Sequence, residues 1–398
     1  MIEYFKSQRV VFEDDIKPAI IKVEDDTITD ILDYNAKIKA KDYGHHLIIP
    51  GLFDSHTHGL AGYSFTGTLK VEDLKEVSKY YASQGVMMFH ATSSLKAYET
   101  IYQASLNNAS LASSIMGIHA EGPFLNNKRF GAAKPDIEFI KPNLDILKEM
   151  IEQSHHFLKV MTLAYEIEGN EVIADYLKAS GIKVALGHSE IDAKEFKANL
   201  DKIDVVTHLC NAMRGIHHRE MGLVGGALLS HCPCELICDG KHVAKEMLEI
   251  IFKLKDLNEL IMISDSTALS YLKPGNYPLK TGTINVSDDG LLLNEFGHIA
   301  GSSRSILYGL KYLATNFDIP LYQLVKMASL NPAKLYGYHN LGKIAKTYKA
   351  HLVILDDDFK VIESYKDGKL VYDQSTKLKI NPRLEALIQD PEFMNFYI

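Results

Sequence analysis

The chain has 398 residues, 46% hydrophobic and 24% charged, with 43 basic against 51 acidic side chains and a formal net charge of −8. That length suits a large barrel with an accessory domain, and the acidic balance argues against bulk nucleic-acid binding, which needs a basic field. No stretch reaches the ~18 apolar residues that cross a membrane, and the opening MIEYFKSQRVVFEDD lacks the form of a signal peptide, so a cytoplasmic protein with neither membrane nor nucleic-acid partners is expected.

Residues 1–50 begin with short alternating runs, such as residues 19–23 and 27–31 on either side of Asp25 and Asp26. This pattern predicts antiparallel hairpins. Eight apolar, β-rich runs follow, each ending in polar or ionisable residues. In order they are HLIIPGLFDSHTHG (46–59), GVMMFHATSS (85–94), SIMGIHAEGPF (114–124), FLKVMTLAYE (157–166), GIKVALGHSE (181–190), DVVTHLCNAM (204–213), CELICDGKHV (234–243) and ELIMISDSTAL (259–269). Helical periodicity fills the gaps, as in residues 71–83, 170–179 and 243–255. Near-continuous apolar strands alternating with helices indicate a parallel sheet covered on both faces. Eight such units predict an α/β fold with a (β/α)8 TIM-like barrel, whose active site lies at the C-terminal ends of the strands.

Residues 350–373 return to hairpin style, with turns at residues 356–358 and at Asp367 and Gly368. Both termini are therefore expected to build one small β-sandwich domain, residues 1–50 plus 345–398, beside a barrel of residues 51–344. Residues 382–390 read as a short helix, and Pro332 as the first position of another. The four cysteines, Cys210, Cys232, Cys234 and Cys238, lack the CxxC pairing of a structural zinc site. They read as isolated buried thiols of a reducing compartment.

The ionisable residues concentrate at strand ends. His56 and His58 occupy positions i and i+2 of the first run, so both imidazoles point to one side. Glu121 ends the third run, His188 the fifth, His208 the sixth and Asp265 the eighth. Singly, each is a satisfied structural residue or a solvent-exposed accident. Jointly, at one end of one barrel, they predict a divalent-metal centre. Such a centre with an open position acidifies water and polarises a carbonyl, and a neighbouring carboxylate can move the proton. Asp265 is the candidate general base and acid. His119 is expected to support Glu121 by hydrogen bonding, and His90 receives no role.

The motifs PGLFDSHTHG, HAEGPF, GHS, THLCNAM, HHREMG, CDGKHV, SDSTA and IAGSSRS occur in that order across residues 50–305. Together they resemble the N-acetylglucosamine-6-phosphate deacetylases of the amidohydrolase superfamily. The resemblance implies one or two divalent ions per subunit: Glu121, His188 and His208 as ligands of the principal ion, His56 and His58 as the pair for a second. Zinc suits such ligands, with iron, manganese and cobalt as alternatives. It further implies Asp265 as acid/base and His242 as the group that polarises the acetamido carbonyl. Ala132, Ala133, Asn211, Ala212, Asp239, Ile299, Ala300 and Gly301 are the implied substrate contacts. The cluster of His217, His218 and Arg219 would otherwise read as a solvated loop. The resemblance makes Arg219, with His218, a phosphate contact reaching across a homodimer interface.

Met221, Tyr165, Ala120 and the Ser264-Asp265-Ser266 turn depart from the usual pattern, without removing an ionisable catalytic residue. The expected reaction is removal of the acetyl group from N-acetyl-D-glucosamine 6-phosphate. The competing readings are deacetylation of another hexosamine phosphate such as N-acetylgalactosamine 6-phosphate, a different amidohydrolase, a metal-dependent phosphodiesterase, and a non-catalytic sugar-phosphate sensor.

Overall fold

The computed structural model describes residues 2–35, 37–131, 139–280 and 282–389. All eight apolar runs become strands of one parallel sheet: Leu52–Thr57, Val86–Thr92, Ser114–Glu121, Leu158–Leu163, Lys183–Leu186, Val205–Val206, Cys234–Ile237 and Leu260–Ile263. Every residue of the first two is buried, because the sheet is covered on both faces. The sheet closes where the first and eighth strands end. There Ser264 donates its backbone N–H to Asp54 Oδ1 at 3.1 Å, and Asp265 donates its own to the His56 carbonyl at 3.0 Å. The His58 N–H reaches the Ser266 carbonyl at 2.7 Å.

Side chains sort by the two-residue period of the strands. Val160, Ala185, Val205, Ile237, Ile261 and Ile263 form a small cluster of their own inside the barrel. Met161, Leu163, Val184, Leu186, Leu236 and Met262 point the other way, into the large core beneath the helices. The helix Val71–Ser83 shows how that core forms. Asp73 accepts from the Lys70 N–H at 2.9 Å to fix the start, and Leu74, Val77 and Tyr81 bury one face. Each such apolar side chain contributes roughly 1.5–3 kcal/mol by leaving water.

The terminal segments build one eight-stranded sheet, in the order Lys369–Asp373, Val361–Lys366, Leu352–Leu355, Leu47–Pro50, Ile2–Val11, Ile16–Glu24 and Thr27–Asp33, with Lys41–Asp42 against Ile2–Val11. It wraps on itself: Ile28 exchanges backbone hydrogen bonds of 2.8 Å with Thr347 and Tyr348, just ahead of Leu352–Leu355. The result is a sandwich around Phe5, Ile21, Val23, Ile48, Leu352 and Ile354. The hairpin turns fall where expected, with Asp25 (φ 54°), Asp367 (φ 51°) and Gly368 (φ 73°) in the left-handed conformation. Not every pairing is antiparallel, however: Ile2–Val11 runs parallel to Leu47–Pro50.

Three features differ from the sequence reading. Residues 275–302, between the eighth strand and the helix Ile306–Asn316, form a four-stranded antiparallel sheet around Leu269, Ile284, Val286, Leu292 and Ala300. Pro332 is the third residue of the helix Leu330–Leu335, not the first. The Asn331 amide ties that first turn to the Leu257 and Leu260 carbonyls, both at 2.8 Å, and a third-position N–H has no intrahelical acceptor to lose. The helix expected over 382–390 is the single turn Leu384–Leu387, close to barrel residue Gly62 and fastened there by Asn381, which donates to the Gly62 carbonyl at 3.0 Å.

Candidate active site

A pocket of about 320 Å³ opens at the C-terminal ends of the strands, and Glu121 stands in it nearly buried. Its two oxygens face different partners. Oε1 lies 2.9 Å from His188 Nε2 and 3.0 Å from His208 Nε2, which are themselves 3.2 Å apart. Oε2 lies 3.2 Å from His58 Nε2 and 3.7 Å from His56 Nε2. Asp265 Oδ1 completes the second group at 3.3 Å from His58 Nε2 and 3.7 Å from His56 Nε2. Two donor sets, Glu121/His188/His208 and His56/His58/Asp265, thus meet across one carboxylate.

The backbone is bent to achieve this. His188 (φ 48°), His208 (φ 28°) and Asp265 (φ 49°) all sit in the left-handed region, as does Ala212 (φ 47°). For non-glycine residues that conformation is unfavourable and concentrates at functional sites. Gly131 (φ 58°) matters for close approach: a Cβ there would stand 3.0 Å from His188 Cε1. The neighbouring Arg129 carbonyl accepts from His188 Nδ1 at 2.8 Å and so turns Nε2 toward Glu121.

These contacts set the charges. Burial works to raise the Glu121 carboxyl, but His56, His188 and His208 outweigh it and hold it well below the usual range. Burial likewise opposes ionisation of Asp265, and His58 and His56 bring it below the ordinary carboxylate value. His56 and His58 move up despite their burial, because carboxylates face both. The donor set fits a divalent cation. In each set the imidazole nitrogens and carboxylate oxygens lie within 4.8 Å of one another, and His56 Nε2 has no hydrogen-bond partner among the described residues. Such a group is costly to bury unless an ion satisfies it.

His242 lines the same pocket. Its Nδ1 lies 2.7 Å from Asp239 Oδ2, while Asp239 Oδ1 accepts from the Lys241 and His242 backbone N–H groups, both at 2.9 Å. Burial lowers His242, but the Asp239 hydrogen bond and charge, with the charge of Asp265, lift it above its ordinary value. Asp239, expected among the substrate contacts, is not among the residues that line this pocket, and both its oxygens bond the 241–242 segment. His242 Nε2 bonds no other described residue.

Asn211, Ala212, Ile299, Ala300 and Gly301 also line the pocket. The wall at 299–301 is fastened to the eighth strand: Ser302 donates to the Asp265 carbonyl at 2.8 Å, and Thr267 to the Ser302 carbonyl at 3.3 Å. Ala132 and Ala133 lie outside the described residues. His218 and Arg219 do not line this pocket; they form the exposed tip of a hairpin between Ile216–His217 and Glu220–Met221.

His119 corrects another expectation. Its Nε2 bonds Thr162 Oγ1 at 2.8 Å on the adjacent strand, the diagonal neighbour that pairs in register with Glu121, and not Glu121 itself. Sequence reasoning also missed Lys128, Arg129, Phe130, Thr267 and His298, which line the pocket, and Glu235 beneath it. The signal for Glu235 was present: a lone charge inside the apolar run CELI.

The Amidohydrolase family model matches residues 47–371. An N-acetylglucosamine-6-phosphate deacetylase of Vibrio furnissii is 31% identical over 396 residues, covering 96% of this chain and 97% of the relative. An N-acetylgalactosamine-6-phosphate deacetylase of Escherichia coli O157:H7 is 28% identical over 333 residues, covering 81% and 87%. Among solved structures, an N-acetylglucosamine-6-phosphate deacetylase of Thermotoga maritima superposes with a TM-score of 0.82 at 28% identity, covering 94% of this chain and all of the other.

Proposed function

The chain belongs to the amidohydrolase family, and on that footing we propose that it hydrolyses N-acetyl-D-glucosamine 6-phosphate to D-glucosamine 6-phosphate and acetate, in amino-sugar catabolism. The observation that carries the reading is Glu121, one carboxylate facing two donor sets in a pocket that also presents His242 and Asp265. The likeness to the Vibrio furnissii enzyme over nearly the whole chain supports the substrate.

Glu121, His188 and His208 would hold the principal ion, and His56 and His58 the second, with Asp265 beside them. A divalent ion there supplies an acidified water and Lewis acidity toward a carbonyl. His/Glu ligation suits zinc, with iron, manganese or cobalt in its place. Asp265 accepts the proton of the attacking water and returns it to the amine nitrogen as the C–N bond breaks. His242, protonated and held through Nδ1 by Asp239, donates from Nε2 to the acetamido oxygen as negative charge grows there. Asn211, Ala212 and the 299–301 wall position the sugar, and we place Ala132 and Ala133 beside them.

The exposed hairpin carries His218 and Arg219 to the pocket of a second copy in a homodimer, where Arg219 pairs with phosphate. Four free cysteines, three of them buried, accord with a reducing, cytoplasmic location. The likeness to a galactosamine-epimer enzyme makes N-acetylgalactosamine 6-phosphate the second substrate to test. Acetate release from both phosphosugars by ion-loaded protein decides the matter. Release from the gluco epimer is expected, and no release from either would overturn the function.

A further inference from the structure

We infer that Glu235 is the positioning residue that makes His56 a ligand for a second ion. The inference rests on the two-ion reading above and extends it to a residue outside both donor sets.

Glu235 lies on the seventh strand with no solvent exposure, and its Oε2 is 3.0 Å from Nδ1 of the equally buried His56. A carboxylate accepts, so His56 carries a proton on Nδ1, and the nitrogen left for an ion is Nε2. That Nε2 has no hydrogen-bond partner among the described residues and faces the space between Glu121 Oε2 and Asp265 Oδ1, 3.7 Å from each. The His119 ring stands edge-on against His56, centroids 4.3 Å apart, with its own Nε2 taken by Thr162. The imidazole is thereby held from two sides.

Glu235 has no other ion-pair partner among the described residues, and its Oε1 makes no hydrogen bond there. An unexposed carboxylate with neither Lys nor Arg beside it is strongly unfavourable on its own. A cation at Nε2 of His56 supplies the charge that it answers, relayed through one ring. Carboxylate partners of this kind fix a ligand's tautomer and raise its basicity. His56, His119 and Glu235 also come close enough to hold an ion among themselves. That would displace the proton His56 already shares with Glu235, and the hydrogen bond is the better account of the 3.0 Å contact.

The test is ion counting by mass spectrometry with cobalt(II) titration followed by its absorption bands, on wild type, Glu235→Gln and Glu235→Leu. Wild type should take two ions. Both variants should keep one ion at wild-type affinity and bind the second roughly 10- to 100-fold more weakly. In a His56→Asn background, adding Glu235→Gln should change nothing further. Should Glu235→Leu fail to fold, the isosteric Gln variant decides. The inference is overturned if the variants hold the second ion as tightly as wild type, if both affinities fall together, or if wild type takes one ion or three. The readout does not depend on the sugar: a two-ion chain that releases no acetate sinks the proposed function and leaves this inference standing.

Discussion

Replacing Asp239 with Asn removes a charge and keeps a shape. Asn Oδ1 can still accept the two backbone N–H groups at 2.9 Å that Asp239 Oδ1 accepts now. At the other atom the change is chemical. Asp239 Oδ2 can only accept, so the Nδ1 of His242, 2.7 Å away, must donate. Nε2 then bears a proton only while the ring is cationic. Burial lowers the His242 pKa, but Asp239 and Asp265 together raise it above 6.5, so the donor is lost as pH rises through that raised value. In Asp239→Asn the amide NH2 faces Nδ1 and favours the neutral ring with its proton on Nε2. A hydrogen bond from a charged donor is worth about 1.5–3 kcal/mol and a neutral one about 0.5–1.5. The difference of about 1–2 kcal/mol predicts a roughly 5- to 30-fold lower kcat/KM near neutrality. It also predicts that the alkaline limb set by His242 flattens. The assay is kcat/KM for acetate release against pH in both proteins. A variant that keeps the wild-type limb would refute the assignment of His242 as the carbonyl's donor.

Asp265→Asn should lower kcat by about 10²- to 10⁴-fold, while ion analysis still finds the principal ion on Glu121, His188 and His208. Arg219→Ala should weaken kcat/KM for the phosphosugar by about 10- to 100-fold, the loss of a charged hydrogen bond, and leave unphosphorylated N-acetylglucosamine unchanged; equal losses on both would count against a phosphate contact. His90 is buried, its nitrogens bond no described residue, and burial pushes its pKa down to about 3. Between about pH 6.5 and 3 the unfolded chain therefore binds a proton that the folded chain does not, so stability falls with falling pH. At pH 5 this amounts to about 2 kcal/mol. His90→Leu should lose less stability between pH 7 and 5 in urea titrations than wild type, and an identical loss would refute the reasoning.

The barrel was legible because its strands are buried on both faces and so stand out as apolar runs, and because a barrel gathers its chemistry at one end of them. His56, His58, Glu121, His188, His208 and Asp265 lie together as that rule requires. What escaped depends on neighbours distant in sequence. Glu235 meets His56 across 179 positions: the lone charge in CELI marks a buried carboxylate, but nothing local says that its partner is a ring on another strand. The 275–302 sheet escaped because its strands are four or five residues long and half exposed, with little apolar periodicity to read. His119 was misassigned because strand alternation says which face a side chain takes, but not which neighbour on that face is nearer.

The wall at 299–301 is fastened to Asp265 by its own backbone: Ser302 donates to the Asp265 carbonyl, and a Cβ on Gly301 would stand 2.9 Å from that same oxygen. On the proposed reading, recognition and proton transfer therefore share one lip of the pocket. A substitution that reshapes this wall for a different sugar shifts the carboxylate that services the amine. Selection for a new substrate should find its freedom at lining residues that carry no bond to Asp265, such as Lys128.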